Sequence, residues 1–428
     1  MAPEPTPEQR AAEAVARRSY GKLIAYLSAR TRDVAGAEDA LSEAFAAALV
    51  DWPRHGVPHT PEAWLLTVAR RKLIDVARQR RGMDGVADTL LVIADLAHED
   101  EHDAPLPDER LALMFVCAHP AIAADARAPL MLQTILGFDA GVIASAFLVA
   151  PATMGQRLVR AKNKIRQAGI AFQVPARTEL RERLDAVLDA IYAAYAEGWA
   201  DPAGTDARRR NLADEAIWLG RLVASLLPQE PEALGLLALM LHAHARRGAR
   251  RDTAGRYVPL ADQDTGLWDA LMIDEAESLL HGASALGRVG RFQLEAAVQS
   301  AHGIRRSAGA ADWPAIERLY DALLHLTGSP VVAINRAIAV AETRGPHAAL
   351  DALDAVAGDP RLALYQPYWA ARAGLLARVG AVGAADRAYE LAIGLEPDPA
   401  VRVFLQQRRA DRRAQGPRGP AAVHNNND

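Results

Sequence analysis

The stretch that most constrains the fold lies between Gly137 and Arg166, where two short amphipathic patterns are separated by a tight break. Asp139 is a residue type that caps helix N-termini well, and the apolar spacing after it predicts a first helix that ends near Leu148. Pro151 suits the first turn of a second helix, because proline has no amide hydrogen to leave unpaired there. We therefore predict a helix-turn-helix, whose first helix buries Val142, Ile143 and Phe147 and whose second buries Met154, Leu158, Ala161 and Ile165.

The second helix of this motif has cations and no carboxylates on its polar face. Such a helix fits the major groove of DNA, where guanidinium and amide groups bond to base edges and basic groups to phosphates. A solvated charged face has the same composition, so this helix alone leaves both interpretations open. The residues predicted to read DNA are Thr153, Gln156, Arg157, Arg160, Lys162 and Lys164.

A second basic segment, Pro61–Gly82, favours the DNA interpretation. Trp64 belongs to its apolar face, and the opposite face carries arginines and a lysine. Upstream, Ala37–Leu49 predicts a helix with carboxylates near its start, where negative charge interacts favourably with the helix dipole. An acidic helix, a basic helix with a tryptophan and a basic helix-turn-helix therefore follow one another along the chain.

This order resembles that of an extracytoplasmic-function (ECF) sigma factor of the sigma-70 family, the promoter-recognition subunit of bacterial RNA polymerase, over residues 10 to about 172. The segments LALMFVCAHPAI and AFLVAPATMGQRLVRAKNKIR, followed by a long helical tail, are similar to the ECF group that carries a tetratricopeptide-like C-terminal extension. In that group the extension stands in for a separate anti-sigma regulator. The resemblance implies core polymerase and promoter DNA as partners, and neither a cofactor nor enzymatic activity.

The resemblance also implies a role for each helix. The acidic helix would dock on the clamp coiled coil of the polymerase through Glu38, Asp39, Leu41, Glu43 and Phe45. The basic segment would capture and open the minus-10 element through Trp64, Arg70, Arg71, Lys72 and Arg78, with Trp52 as a further candidate for an aromatic wall beside flipped bases. The second helix of the helix-turn-helix would read the minus-35 element. Core packing is the alternative role for Trp64, Leu41 and Phe45, and helix capping for the carboxylates.

The length of 428 residues and an apolar fraction of one half allow several compact units. No strand pattern competes with the helical one, so we predict an all-α protein: two small helical sigma domains, the second with the helix-turn-helix, followed by a tetratricopeptide-like array. The lead before residue 10 is expected to be disordered, and the linker to contain a short helix near Thr89–Leu96. The predicted parts are region 2 at 10–82, a linker at 83–107, region 4 at 108–172, the extension at 176–413 and a disordered tail at 414–428.

An internal repeat supports the array. The segment Ile334–Val356 is echoed by Tyr368–Pro399 at a displacement of about 34 residues, which is the tetratricopeptide period. Such an array either binds a protein segment or folds back on the sigma domains, and we expect a regulatory role for it. An inert stabilising annex is the alternative.

The formal net charge of −4 is compatible with DNA binding because the cations are concentrated in two helices. The single cysteine, Cys117, excludes an internal disulfide. No long apolar run or signal peptide is recognised, so we expect a soluble, cytoplasmic protein without a membrane partner. Neither Cys117 with His119 nor His98 with His102 forms a convincing catalytic or metal site, and no metal is expected.

Two other functions stay open at this point. One is a signal-responsive helix-turn-helix regulator that binds DNA without being a polymerase subunit. The other is a tetratricopeptide scaffold whose basic helices bind protein partners. The acidic helix and the tryptophan-containing basic helix favour the sigma factor over both, because neither alternative needs a module that melts DNA.

Overall fold

The computed structural model describes residues 7–80, 108–147, 149–199 and 207–415. Regular structure in these ranges is helical, apart from one isolated antiparallel bridge between Arg251 and Tyr257. This confirms the predicted all-α class. The predicted short helix at Thr89–Leu96, His98 and His102 lie outside the described residues. None of the described helices is long and apolar enough to cross a membrane.

The chain divides into two compact units, which meet in sequence at Leu226 and Leu227. The first unit ends well beyond the predicted boundary at residue 172, because the helix that follows packs on the helices before it. Arg183 in that helix donates a hydrogen bond from Nη2 to the backbone carbonyl of Phe115 at 3.0 Å. The described helices of the first unit are α1 (Pro7–Thr31), α2 (Val34–His55), α3 (Pro61–Arg80), α4 (Arg110–Cys117), α5 (Ala124–Leu136), α6 (Ala140–Ala146), α7 (Pro151–Gln167), α8 (Arg177–Trp199) and α9 (Ala207–Leu226).

Helices α1 to α3 pack around a common apolar core. Helix α1 begins at Pro7, three residues before the predicted start, at a position where proline suits a first helical turn. Helix α2 is longer than the predicted Ala37–Leu49, because the carboxylate of Asp33 caps it by accepting from the amide of Gly36 at 3.1 Å. The buried side chains of this core include Leu23, Ile24, Leu27, Leu41, Trp52 and Leu65.

Helices α6 and α7 form the predicted helix-turn-helix. The Asp139 carboxylate accepts from the amides of Gly141 and Val142 at 2.8 and 3.1 Å, so it caps α6 as expected. Ile143 is fully buried, whereas Val142 and Phe147 are half-buried. Pro151 begins α7. The predicted apolar stripe of this helix is confirmed, because Met154, Leu158, Ala161 and Ile165 are all buried.

The second unit is a succession of packed helices. The repeat found in the sequence corresponds to two helix pairs, whose first helices begin at Pro330 and Gln366, 36 residues apart. Its described helices are α10 (Pro231–Ala245), α11 (Ala270–Ala285), α12 (Arg291–Gly303), α13 (Arg305–Ala308), α14 (Trp313–Thr327), α15 (Pro330–Thr343), α16 (Pro346–Asp354), α17 (Gln366–Arg378), α18 (Val382–Leu395) and α19 (Pro399–Gln415).

The loop after α10 in the second unit contacts its last helix. Arg251 donates to the Asp398 carboxylate at 2.6 Å, and both side chains are largely buried. The rings of Tyr257 and Phe404 meet edge to face, with centroids 5.4 Å apart. These contacts join parts of the chain almost 150 residues apart, which the repeat pattern alone does not predict.

Candidate nucleic-acid interface

The exposed face of α7 carries four of the six residues predicted to read DNA. Thr153, Gln156, Arg160 and Lys164 are all exposed. A guanidinium nitrogen of Arg160 donates to Oε1 of Gln156 at 3.3 Å, so the two side chains lie together on this face. An amide and a guanidinium at this spacing can both reach base edges in a major groove.

A groove runs beside this face, between α7 and the start of α5. Its volume is about 550 Å³. Arg157 lies at its wall, with Nη1 3.2 Å from the Asp125 carboxylate across the groove. The first amides of α5 add partial positive charge at the groove, and Asp125 lies in the same helical turn. The residues that line the groove are Ala121, Ile122, Ala123, Asp125, Ala126, Thr153, Gln156, Arg157, Arg160, Ala161 and Lys164.

The exposed face of α7 also carries an apolar residue that was not among the sequence predictions. Val159 is 58 % exposed, and it follows Gln156 by three residues on the side of α7 away from the buried stripe. The residues predicted to read DNA are all polar, so Val159 was not among them. A helical projection identifies it, because the four buried positions fix which side of the helix faces solvent.

Lys162 does not lie on the open face. Its ammonium pairs with the carboxylate of Glu38 at the start of α2, and the two side chains are only 12 % and 13 % exposed. Burial raises the pKa of the Glu38 carboxyl, and the nearby Lys162 charge opposes that rise. A predicted DNA contact and a predicted polymerase contact therefore bind each other in this structure.

The basic helix α3 presents only part of its predicted set to solvent. Arg71 is exposed, and Lys72 lies 2.6 Å from the carboxylate of Glu43. Arg70 donates to the hydroxyl of Tyr26 and lies over its ring. The side chain of Arg78 is outside the described part of the chain.

The two tryptophans of region 2 have different environments. Trp52 is 1 % exposed and belongs to the core, so it does not form an open aromatic wall in this structure. Trp64 is half-buried and packs edge to face against Trp52, with ring centroids 5.7 Å apart. Trp64 alone combines a fixed ring with partial exposure, and it remains the candidate for contact with a base.

The acidic helix α2 is likewise divided between core and surface. Leu41 is buried and Phe45 half-buried, whereas Asp39 and Glu43 are exposed. Exposed apolar side chains near its C-terminal end were not among the sequence predictions. They are Leu49, Val50 and, just after the helix, Val57.

The thiol of the only cysteine is shielded. Cys117 is buried on α4 with Sγ 3.3 Å from the hydroxyl of Thr134. Burial raises the pKa of this thiol to about 12, so it is protonated at neutral pH and a poor nucleophile. Within the described ranges, no group of three or more potential ligands could hold a metal ion.

Comparison with known proteins identifies the region that contains α2 and α3. Residues 15–82 match the family described as Sigma-70 region 2. The chain is a member of the sigma-70 family. Membership implies RNA polymerase core and promoter DNA as partners. A second match covers residues 183–284, a range that begins within α8. It is to DUF6596, a family of unknown function.

This sigma-70 family protein has a relative of nearly the same extent. This chain is 38 % identical over 393 residues to that relative, "Uncharacterized protein R00370" of Rhizobium meliloti (strain 1021). The alignment covers 91 % of this chain and 92 % of the relative, so the two proteins belong to one family. No solved structure matches the chain.

Proposed function

We propose that the protein is an ECF-type sigma factor that binds core RNA polymerase and directs initiation at specific promoters. The observation that carries the proposal is the exposed face of α7, where Gln156 and Arg160 lie side by side above a basic groove. The match of residues 15–82 to sigma-70 region 2 gives that face its context. A reader helix and a region 2 module in one chain are the two parts that promoter recognition needs.

The face of α7 suits the minus-35 element. Gln156 and Arg160 would bond to base edges, and each good bidentate contact contributes about 1–3 kcal/mol of discrimination. Arg157 and Lys164 border the groove and would hold the phosphate backbone. Val159 supplies an apolar surface of the kind that contacts a thymine methyl.

Helix α3 suits the minus-10 element. Opening DNA costs a few kcal/mol for each unstacked base, and a protein offsets that cost by stacking bases on aromatic rings. Trp64 is half-exposed with Trp52 behind it, so its ring is held in place from the core side. Arg71 on the same helix is exposed and available for a phosphate.

For the C-terminal extension we propose a tetratricopeptide-like fold and a regulatory role. The two helix pairs that begin at Pro330 and Gln366 have the lengths and spacing typical of such repeats. Exposed apolar side chains at Leu271, Val289 and Leu364 offer contacts for a protein segment. Because the extension is covalently attached to the sigma domains, its effective concentration near them is high without any added partner.

The proposal is tested by binding measurements with the full chain, with and without core polymerase. We expect the chain to bind core polymerase and to protect promoter DNA only in its presence. Gln156→Ala and Arg160→Ala should weaken promoter protection but leave core binding unchanged. Arg306→Ala, which removes an exposed arginine from the second unit, is the matched control and should change neither. Specific binding to duplex DNA by the chain alone would instead favour an independent helix-turn-helix regulator.

A further inference from the structure

Helix α11 and the turn before it present an apolar surface that no described residue covers. Leu271 is 82 % exposed and Leu267 is 59 % exposed. Ile273, Ala276 and Ala283 are buried on the inner side of α11, so Leu271 lies on the outer side. Exposed positions of the outer side recur at helical spacing: Leu271, Asp274, Ser278, His281 and Ala285.

The same part of the chain is acidic. Residues 257–287 contain six Asp and Glu and no Lys or Arg, although the whole chain has 49 Lys and Arg among 428 residues. Asp262 and Asp274 are exposed, and neither carboxylate forms an ion pair with a residue that the structure describes. We call Asp262, Leu267, Leu271 and Asp274 together the leucine surface. It combines protruding apolar side chains with negative charge that is not neutralised.

Two capping carboxylates fix the backbone that carries the leucines. Asp264 accepts from the amide of Gly266 at 2.8 Å, at the start of a short 3-10 turn. Asp269 accepts from the amide of Met272 at 3.0 Å and caps α11. Each of these bonds lies within one turn of a leucine of the surface. The leucine surface therefore needs little ordering when a partner binds.

A buried tryptophan anchors the same segment from the inside. Trp268 is 5 % exposed, and the guanidinium carbons of Arg246 and Arg305 lie 5.8 and 5.6 Å from its ring centre. Arg305 also donates to the backbone carbonyls of Leu260 and Gln263. The anchor consists of residues outside the leucine surface. Substitution of an exposed leucine therefore leaves the anchor in place.

The chemistry of the leucine surface indicates its partner. Its negative charge repels the phosphates of nucleic acids and of anionic lipids, and its leucines need an apolar pocket. A protein with cations around an apolar pocket meets both requirements. Proteins that hold nucleic acid present such cations, because they neutralise phosphates. Core RNA polymerase is a protein of this kind, and membership of the sigma-70 family implies it as a partner.

We propose that the leucine surface is a docking site for core RNA polymerase, in addition to region 2. The inference rests on the proposed function, because it requires that the chain binds core polymerase. Leu267 and Leu271 enter an apolar pocket of the polymerase, and Asp262 and Asp274 pair with cations at its rim. The leucine surface lies in the range that matches DUF6596, so this part of the extension adds affinity for polymerase through a second contact.

The affinity of the full chain for core polymerase tests the leucine contact. Leu271→Asp should weaken binding about tenfold, because a central apolar anchor of an interface typically contributes at least that much. Leu364→Asp is the matched control, since Leu364 is 81 % exposed and lies outside the leucine surface. The control should bind like the parent, and circular dichroism should show both variants folded. A folded Leu271→Asp chain with parental affinity would overturn the proposal.

Charge reversal tests the electrostatic part of the contact. Asp274→Lys should weaken binding to core polymerase at low salt and have a smaller effect at high salt, because salt screens exposed charges. Asp351→Lys reverses another exposed aspartate of the second unit and should change the affinity little. An Asp274→Lys chain that binds at low salt as tightly as the parent would contradict the proposal.

A photocrosslinker locates the contact. Leu271→Cys carrying benzophenone should crosslink to a subunit of core polymerase, whereas Leu364→Cys carrying the same group should not. Cys117 is the only natural cysteine and is buried, so it stays unmodified in the folded chain. Crosslinks between two copies of the chain, in place of crosslinks to polymerase, would assign the leucine surface to self-association and overturn the proposal.

These measurements separate the inference from the proposed function. If the parental chain does not bind core polymerase, both fail. If the parental chain binds and the Leu271→Asp and Asp274→Lys variants bind equally well, only the inference fails, and region 2 remains the proposed docking site.

Discussion

Of two substitutions on the face of α7, one should change the salt dependence of promoter binding and the other its sequence preference. Lys164 borders the groove and is proposed to contact phosphate, whereas Gln156 is proposed to contact a base. Each phosphate that a protein neutralises adds about 0.9 to the slope of log affinity against log salt concentration. Lys164→Ala should therefore reduce that slope by about 0.9 and weaken binding to all DNA sequences alike.

Gln156→Ala should leave the slope unchanged, because the amide carries no charge. This substitution should reduce the binding free energy by about 1–3 kcal/mol on the preferred promoter, and by much less on a promoter altered at the contacted base. Four or five phosphates neutralised by the chain should contribute roughly −4 to the slope measured for the polymerase complex.

The assay is fluorescence anisotropy of labelled promoter DNA with the polymerase complex, over a series of salt concentrations. Differences between variants cancel the contribution of the core enzyme, which is common to all of them. Arg306→Ala is again the control and should match the parent in slope and preference. A slope that Lys164→Ala leaves unchanged, or one that Gln156→Ala lowers, would refute the assignment of base and phosphate contacts on this helix.

Three further predictions concern stability and reactivity. Leu41→Ala, which truncates a fully buried side chain of α2, should destabilise the first unit by about 2–5 kcal/mol in denaturant titrations, whereas Asp39→Ala on the exposed side of that helix should change stability little. Burial and the nearby Arg246 charge lower the pKa of His242 to about 4. Below pH 6.5 this imidazole is therefore protonated in the unfolded chain while it stays neutral in the folded chain. Acidification from pH 7 to 5 should therefore lower the free energy of unfolding by about 2 kcal/mol through this residue. Over the same interval, the His242→Gln variant should lose about 2 kcal/mol less stability than the parent. Cys117, buried and with its pKa raised to about 12, should react with a thiol reagent at pH 8 only after denaturation; rapid reaction of the native chain would contradict its placement.

Local patterns in the sequence were sufficient to predict the helix-turn-helix. Helical spacing alone identified the buried stripe of α7 from Met154 to Ile165, and residue preference identified Asp139 as the cap of α6. Both features depend on residues within one or two helical turns. The structure agrees with them because no distant contact overrides them.

Predictions that depended on distant contacts fared differently. Lys162 was expected on the open face, but its partner Glu38 lies 124 residues earlier, and periodicity carries no information about such a pair. Trp52 was a candidate for an open aromatic wall, yet it is buried behind Trp64. The need for glycine at position 21 arises only from the approach of the Ile135 carbonyl. Each of these features depends on how whole helices pack.

Run-off transcription with bacterial core polymerase and the full chain tests the central claim most directly. The template would be DNA fragments selected from the genome that encodes the chain, with core polymerase alone as the reference. The account predicts transcripts of defined length only when the chain is added, and fewer of them with Arg160→Ala. Failure of the chain to bind core polymerase, together with no added transcript from any selected fragment, would contradict it.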